Sequence, residues 1–202
     1  RPEPHHLIPD RPLRHPAQRR AIVEIPQVKH IKVHCSGPFL GQSCIIIAVT
    51  GTKTMPLELV TIPCLADNYA YLIHDRETGE TAVVDVPEPG PILAALDAHQ
   101  WRLTDILITH HHDDHIQGVE TLRSQTGAMV LGAAADAHRL PRLDLALTEE
   151  SSFSIGQEFA RVIDVPGHTL GHIAFYFPQS GLAFTADSLM AGGCGRLFEG
   201  TA

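Results

Sequence analysis

The stretch Thr109-His110-His111-His112-Asp113-Asp114-His115 follows without a break on Ile106-Leu107-Ile108. An apolar run of that kind predicts a strand, Leu103–Thr109, buried on both faces. Side chains two apart in extended backbone point the same way, so His110 and His112 can converge on one metal ion. The chain must then turn, which lets Asp114 and His115 face a second ion beside the first. Imidazoles with a carboxylate and no thiolate suit Zn²⁺, Fe²⁺ or Mn²⁺ better than an iron–sulfur cluster. A histidine purification tag would sit at a terminus in polar sequence, whereas this run is central and follows a hydrophobic strand.

Two later pieces share this logic. Val165-Pro166-Gly167-His168-Thr169 puts a histidine on a glycine turn after a strand, and Phe184-Thr185-Ala186-Asp187-Ser188 puts a carboxylate at a strand end. Either alone would read as an ordinary loop residue; beside the histidine cluster each becomes a candidate ligand. Around them, strands are predicted at Leu57–Ile62, Tyr69–His74, Thr81–Val86, Ala128–Leu131, Phe159–Val165, Ile173–Phe177 and Leu182–Thr185. Turns are predicted at Ala66-Asp67-Asn68 and Glu77–Gly79, and helices at Pro91–His99 and Ile116–Gln125. The stretch between Leu131 and Phe159 reads as loop-rich. Hairpins followed by alternating strands and helices argue against a purely parallel doubly wound sheet.

Composition divides the chain near Met55, its first methionine. Residues 1–54 hold 8 Lys+Arg against 3 Asp+Glu, while residues 55–202 hold 7 against 20. All three lysines, Lys29, Lys32 and Lys53, and seven of the 15 prolines lie upstream. This predicts a non-native or disordered extension over 1–54 and a folded domain over 55–202; the rival reading is a basic arm for an acidic partner. The net charge of −8 argues against nucleic acid as partner. No apolar run approaches the roughly 20 residues needed to span a membrane. Cys35, Cys44, Cys64 and Cys194 show no CxxC pair and no disulfide framework, which points to a reducing, cytoplasmic setting.

The pattern Thr-His-x-His-x-Asp-His, then Gly-His-Thr, then a strand-end Asp, resembles the metallo-β-lactamase superfamily. Within it, Ile62–Tyr69 (IPCLADNY), Pro166–His172 (PGHTLGH) and Gly193–Thr201 (GCGRLFEGT) are similar to the glyoxalase II (hydroxyacylglutathione hydrolase) family, over Met55 to Ala202. The resemblance implies an α/β fold, a metallo-β-lactamase-like αββα four-layer sandwich, incomplete here at the C-terminus. It implies two divalent ions, zinc foremost with iron or manganese open. His110, His112 and His168 would hold one ion, Asp114 and His115 the other, with Asp187 bridging. Asp114 and Asp187 are the implied catalytic carboxylates, and Arg196, Leu197 and Phe198 the implied glutathione-contacting segment. His172, His111 and Asp113 are not ligands in that pattern, and packing is the expected role of Cys194.

The implied reaction is hydrolysis of S-D-lactoylglutathione to glutathione and D-lactate by a hydroxide held between the metals. The implied partner is that small thioester alone, with no nucleic acid or membrane, and a monomer when intact. The family pattern continues beyond Ala202 with a further histidine and a helical domain, so these 202 residues are expected to be weakly active or inactive alone, with a sheet edge exposed. Two alternatives remain: a persulfide dioxygenase-like protein with one iron, and a metal-binding fragment without catalysis.

Overall fold

The computed structural model describes residues 56–190 and 192–200, together with the backbone of 31–34 and 46–49. It forms two six-stranded sheets. The strands are β1 (Ile31–His34), β2 (Ile46–Val49), β3 (Leu57–Cys64), β4 (Asn68–Asp75), β5 (Thr81–Val84), β6 (Asp105–Leu107), β7 (Met129–Ala133), β8 (Leu145–Leu147), β9 (Ser152–Ile155), β10 (Glu158–Asp164), β11 (Ile173–Phe177) and β12 (Leu182–Phe184). The helices are α1 (Pro89–His99), α2 (Asp113–Ile116) and α3 (Val119–Thr126). One sheet runs β3-β4-β5-β6-β7-β8, antiparallel through β5 and parallel thereafter; the other, β1-β2-β12-β11-β10-β9, is antiparallel throughout.

Burial follows from side-chain alternation. Leu107 faces the core between the sheets with Tyr71, Phe153, Phe175 and Phe184. Its neighbours Ile106 and Ile108 face the opposite way, against Ile92 and Leu96 of α1 and Val119 and Leu122 of α3. The strand is therefore buried on both faces, as the apolar run predicts. Tyr71 and Phe184 meet across the sheets with ring centroids 5.6 Å apart. The layers run helix, mixed sheet, antiparallel sheet, which is the αββα sandwich with its fourth layer lacking a helix among the described residues. On that outer face β10 shows Phe159 and Ile163 to solvent.

Several expectations shift. Leu65, at a φ of 51°, moves the first turn one residue earlier and lengthens both flanking strands, so that Cys64 pairs with Asn68. The expected helix from Ile116 to Gln125 breaks at Gly118. There the N–H donates to the Val86 carbonyl at 3.0 Å, and any Cβ would press on Val86 at 2.8 Å. The stretch read as loop-rich contains β8 and β9. Two four-residue strands also fall inside the region expected to be disordered. β2, an Ile-Ile-Ala-Val run of high strand propensity, pairs with β12. The remainder of 1–54, including its Pro-rich start, lies outside the described residues.

Asp75, buried at the end of β4, ties the sheets together. Its carboxylate accepts N–H bonds from Glu77 and Thr78 in its own turn and from Gln157 in the β9–β10 turn. Gly156 packs directly on it at a φ of +60°, and a Cβ there would overlap the carboxylate. Gly156→Ala is expected to cost about 2 kcal/mol or more in urea unfolding, through positive-φ strain and displacement of Asp75. A loss below about 0.5 kcal/mol would show that the turn yields freely.

Candidate metal centre

The C-terminal ends of β5, β6, β10 and β12 open onto one region of the sandwich, and the chemistry-bearing residues follow those ends. Asp85 follows β5 in a left-handed conformation, φ 57°, and is only 3% exposed. Its carboxylate accepts the Thr109 N–H at 2.9 Å, the Thr109 hydroxyl at 2.8 Å and His115 Nδ1 at 2.8 Å. The Thr109 hydroxyl has one hydrogen, given to Asp85. It can therefore only accept from His110 Nδ1, 3.0 Å away, which leaves Nε2 of His110 as a lone pair. His168 Nδ1 donates to the Arg196 carbonyl at 2.8 Å, again freeing Nε2. Three imidazoles are thus oriented by hydrogen bonds on the nitrogen that faces away from the centre, the arrangement that protein metal sites use to fix ligand rings.

The inward atoms converge in two groups. His110, His112 and His168 form one; His110, His115 and Asp187 form the other, each group with its ligand atoms within 4.8 Å. His112 Nδ1 lies 3.1 Å from His110 Nε2 and 2.9 Å from His168 Nε2. Asp187 sits in the short helical turn Ala186–Ser188 after β12, one oxygen 3.3 Å from His115 Nε2 and the other 3.2 Å from His168 Nε2. A tetrahedral zinc site with bonds of about 2.0–2.1 Å spaces its donor atoms about 3.3 Å apart. The donor set and its spacing therefore fit a divalent ion.

Asp114 stands outside both groups. Its side chain is 51% exposed and lies 3.7 Å from His115 Nε2; Asn68 Nδ2 donates to it at 3.0 Å. His172 is stacked on His110 at 4.5 Å with both nitrogens unpartnered, and burial holds it down at about 4. His111 turns away to Asp136 Oδ2 at 3.1 Å. Phe198 presents its ring near-perpendicular to His112 and His168, and the Arg196 guanidinium lies over that ring at 4.9 Å. Leu197 beside them is 62% exposed, and Cys194 is exposed. Asp85, Asn68 and Asp136 were given no site role by sequence, although Asn68 lies inside the Ile62–Tyr69 stretch and Asp85 at a strand end, in Val84-Asp85-Val86.

Burial lowers the proton affinity of His110, with the neighbouring histidines adding to the effect, and it does the same to His112 with His168 as the main partner. His115 behaves oppositely. Burial would lower it, but the Asp85 and Asp187 carboxylates outweigh that and push it up to about 10. Burial would raise Asp187, yet the His115 hydrogen bond and the surrounding imidazoles hold it below the usual range.

A profile of the metallo-beta-lactamase superfamily matches residues 67–200. Over 147 residues the chain is 70% identical to a protein named hydroxyacylglutathione hydrolase from Cereibacter sphaeroides, covering 73% of this chain and 58% of that one. The chain thus spans little more than half the length of that relative. Among solved structures, the BLEG-1 B3 metallo-beta-lactamase is similar with a TM-score of 0.63 at 24% identity, over 69% of this chain and 76% of that one, which speaks for the fold alone. TTHA1623, solved in a di-iron-bound form, is similar with a TM-score of 0.57 at 28% identity, over 69% and 76% of the two chains. No helix among the described residues is long and apolar enough to cross a membrane.

His115 carries a proton in the chelator-stripped protein up to about pH 10, and a ligating imidazole must be neutral. Zinc uptake at pH 8 is therefore expected to release at least one proton per chain, that of His115, detected as buffer-dependent heat in calorimetry. Heats that do not depend on the ionisation enthalpy of the buffer would place His115 outside the ligand set.

Proposed function

The chain belongs to the metallo-beta-lactamase superfamily, and we propose that within it this is a binuclear metallohydrolase of the hydroxyacylglutathione hydrolase type, cleaving S-D-lactoylglutathione to glutathione and D-lactate. The observation that carries the binuclear reading is Asp187, whose two oxygens face the two histidine groups separately. The substrate class rests on the identity to the relative of that name together with the 193–200 segment beside the histidines.

In this reading His110, His112 and His168 would hold one ion, Asp114 and His115 the other, and Asp187 would serve both. When bound, a pair of divalent cations lowers the pKa of a water from about 15.7 towards 7 and polarises the carbonyl under attack. The protein's own groups supply the rest. Asp187 fixes the separation of the two sides. Asp114, anchored by Asn68 and close to His115, completes the second side and accepts a hydrogen bond from the attacking water. Arg196 offers a permanent positive charge to a glutathione carboxylate. The Phe198 edge keeps bulk water from one flank of His112 and His168. A thiolate leaves readily, so no strong acid is required opposite the nucleophile. Zinc is the metal favoured by the nitrogen-rich donor set, with iron and manganese compatible.

The test is metal content and free-thiol release from S-D-lactoylglutathione by the zinc-loaded chain. Two ions per chain are expected, with slow thiol release from the parent, and with Asp187→Ala losing at least one ion and that release altogether. A single iron per chain that supports oxygen consumption without thioester cleavage would replace this reading with an oxygenase. Absence of any zinc-dependent thiol release would leave the chain as a metal-binding protein only.

A further inference from the structure

Residues 192–200 pass beside the metal-holding histidines with little regular structure of their own. The tethers are few. Met190 and Gly193 pair through their backbones, and the Gly195 N–H donates to the Asp187 carbonyl at 2.7 Å. Arg196 then offers its carbonyl to His168, and Phe198 lies against His112 and His168 although the residue is 55% exposed. Nothing in the local backbone explains why the far end of the segment stays in place.

That anchor is a charged network reaching across 60 residues of sequence. Glu199 takes a paired hydrogen bond from the Arg139 guanidinium, through Nη1 to Oε1 and through Nη2 to Oε2 at 3.1 Å. The Leu170 N–H adds a bond at 2.7 Å. Arg139 is itself held by Asp136, whose Oδ1 accepts from Nη2 at 2.6 Å and from Nε at 3.2 Å. Asp136 is 2% exposed in the short helical turn after β7, and its other oxygen faces His111 Nδ1. Gly171 lies so close that a Cβ would overlap the Asp136 carboxylate. A planar guanidinium between two carboxylates fixes both distance and angle, which a single point charge would not.

We infer that Asp136, Arg139 and Glu199 form a strap that positions the 195–200 segment, and through it the His168 ring. The path is physical at each step. Glu199 fixes the end of the segment, the segment places the Arg196 carbonyl on Nδ1 of His168, and that hydrogen bond aims Nε2 inward. None of the three belongs to either convergent group of donor atoms; they are positioning residues. The inference rests on reading His168 and His112 as metal ligands, and is independent of which substrate is turned over.

The test is the dissociation constant for Co²⁺ by chelator competition, with the visible Co²⁺ spectrum as second readout. Glu199→Gln and Arg139→Met are each expected to weaken binding about tenfold and alter the spectrum. The double variant should be no weaker than the poorer single one, because both cut the same strap. Arg139→Lys should recover part of the loss. Arg123→Met serves as control: it breaks the comparable pair with Asp144, at 2.8 and 2.9 Å and far from the histidines, and should bind like the parent. Strap variants within twofold of the parent, or a control that weakens equally, would overturn the inference, as would failure of both strap variants to fold. A parent chain that binds no Co²⁺ would instead refute the metal reading on which it stands.

Discussion

A buried carboxylate, Asp85, sets the orientation on which the rest of the site depends. A charge this deep is tolerated only when its oxygens are hydrogen-bonded, and here the partners are the Thr109 N–H, the Thr109 hydroxyl and His115 Nδ1. Because the hydroxyl is committed to Asp85, it must accept from His110, so one carboxylate selects the tautomers of two histidines. The left-handed backbone at Asp85 brings the carboxylate under the 109–115 loop at the cost of local strain. Without it, the same histidines would carry their lone pairs in arbitrary directions.

The sandwich supplies the distances. β5 and β6 are parallel neighbours, so Asp85 and His110 leave the same end of one sheet, and β10 and β12 bring His168 and Asp187 to that end of the other. Facing aromatic and aliphatic side chains lock the two sheets together, with Tyr71 of one against Phe184 of the other, while Phe153 and Phe175 pack within the antiparallel sheet. At the opposite end, Asp75 and Gly156 join the turns. Rigid packing at one end and hydrogen-bonded histidines at the other describe one design: donors are fixed before an ion arrives, so little reorganisation is needed on binding.

Much of this was legible in sequence. Period-two spacing placed His110 and His112 together, and the double-faced burial of Ile106-Leu107-Ile108 followed from its unbroken apolar run. His168 and Asp187 reach the histidines from strands that the apolar pattern located. The less visible features are those that depend on tertiary contact. β8 and β9 are three and four residues long, too short to show a period. The break at Gly118 comes from Val86 pressing on it, a contact more than 30 residues away. Asp114, paired with His115 by the turn that follows His112, lies 3.7 Å from His115 Nε2 and is also held by Asn68, a contact across 46 residues that the local pattern does not reveal. Glu199 lay inside a stretch already singled out, but its partner Arg139 carries no local signature.

The central claim is that the 110–115 loop, His168 and Asp187 surround two ions rather than one. X-ray absorption fine structure on the zinc-saturated chain addresses it directly. The account predicts nitrogen-rich shells at about 2.0–2.1 Å together with a metal–metal vector of about 3.5–4 Å. A first shell of imidazoles with no second metal scatterer at any zinc loading would contradict it.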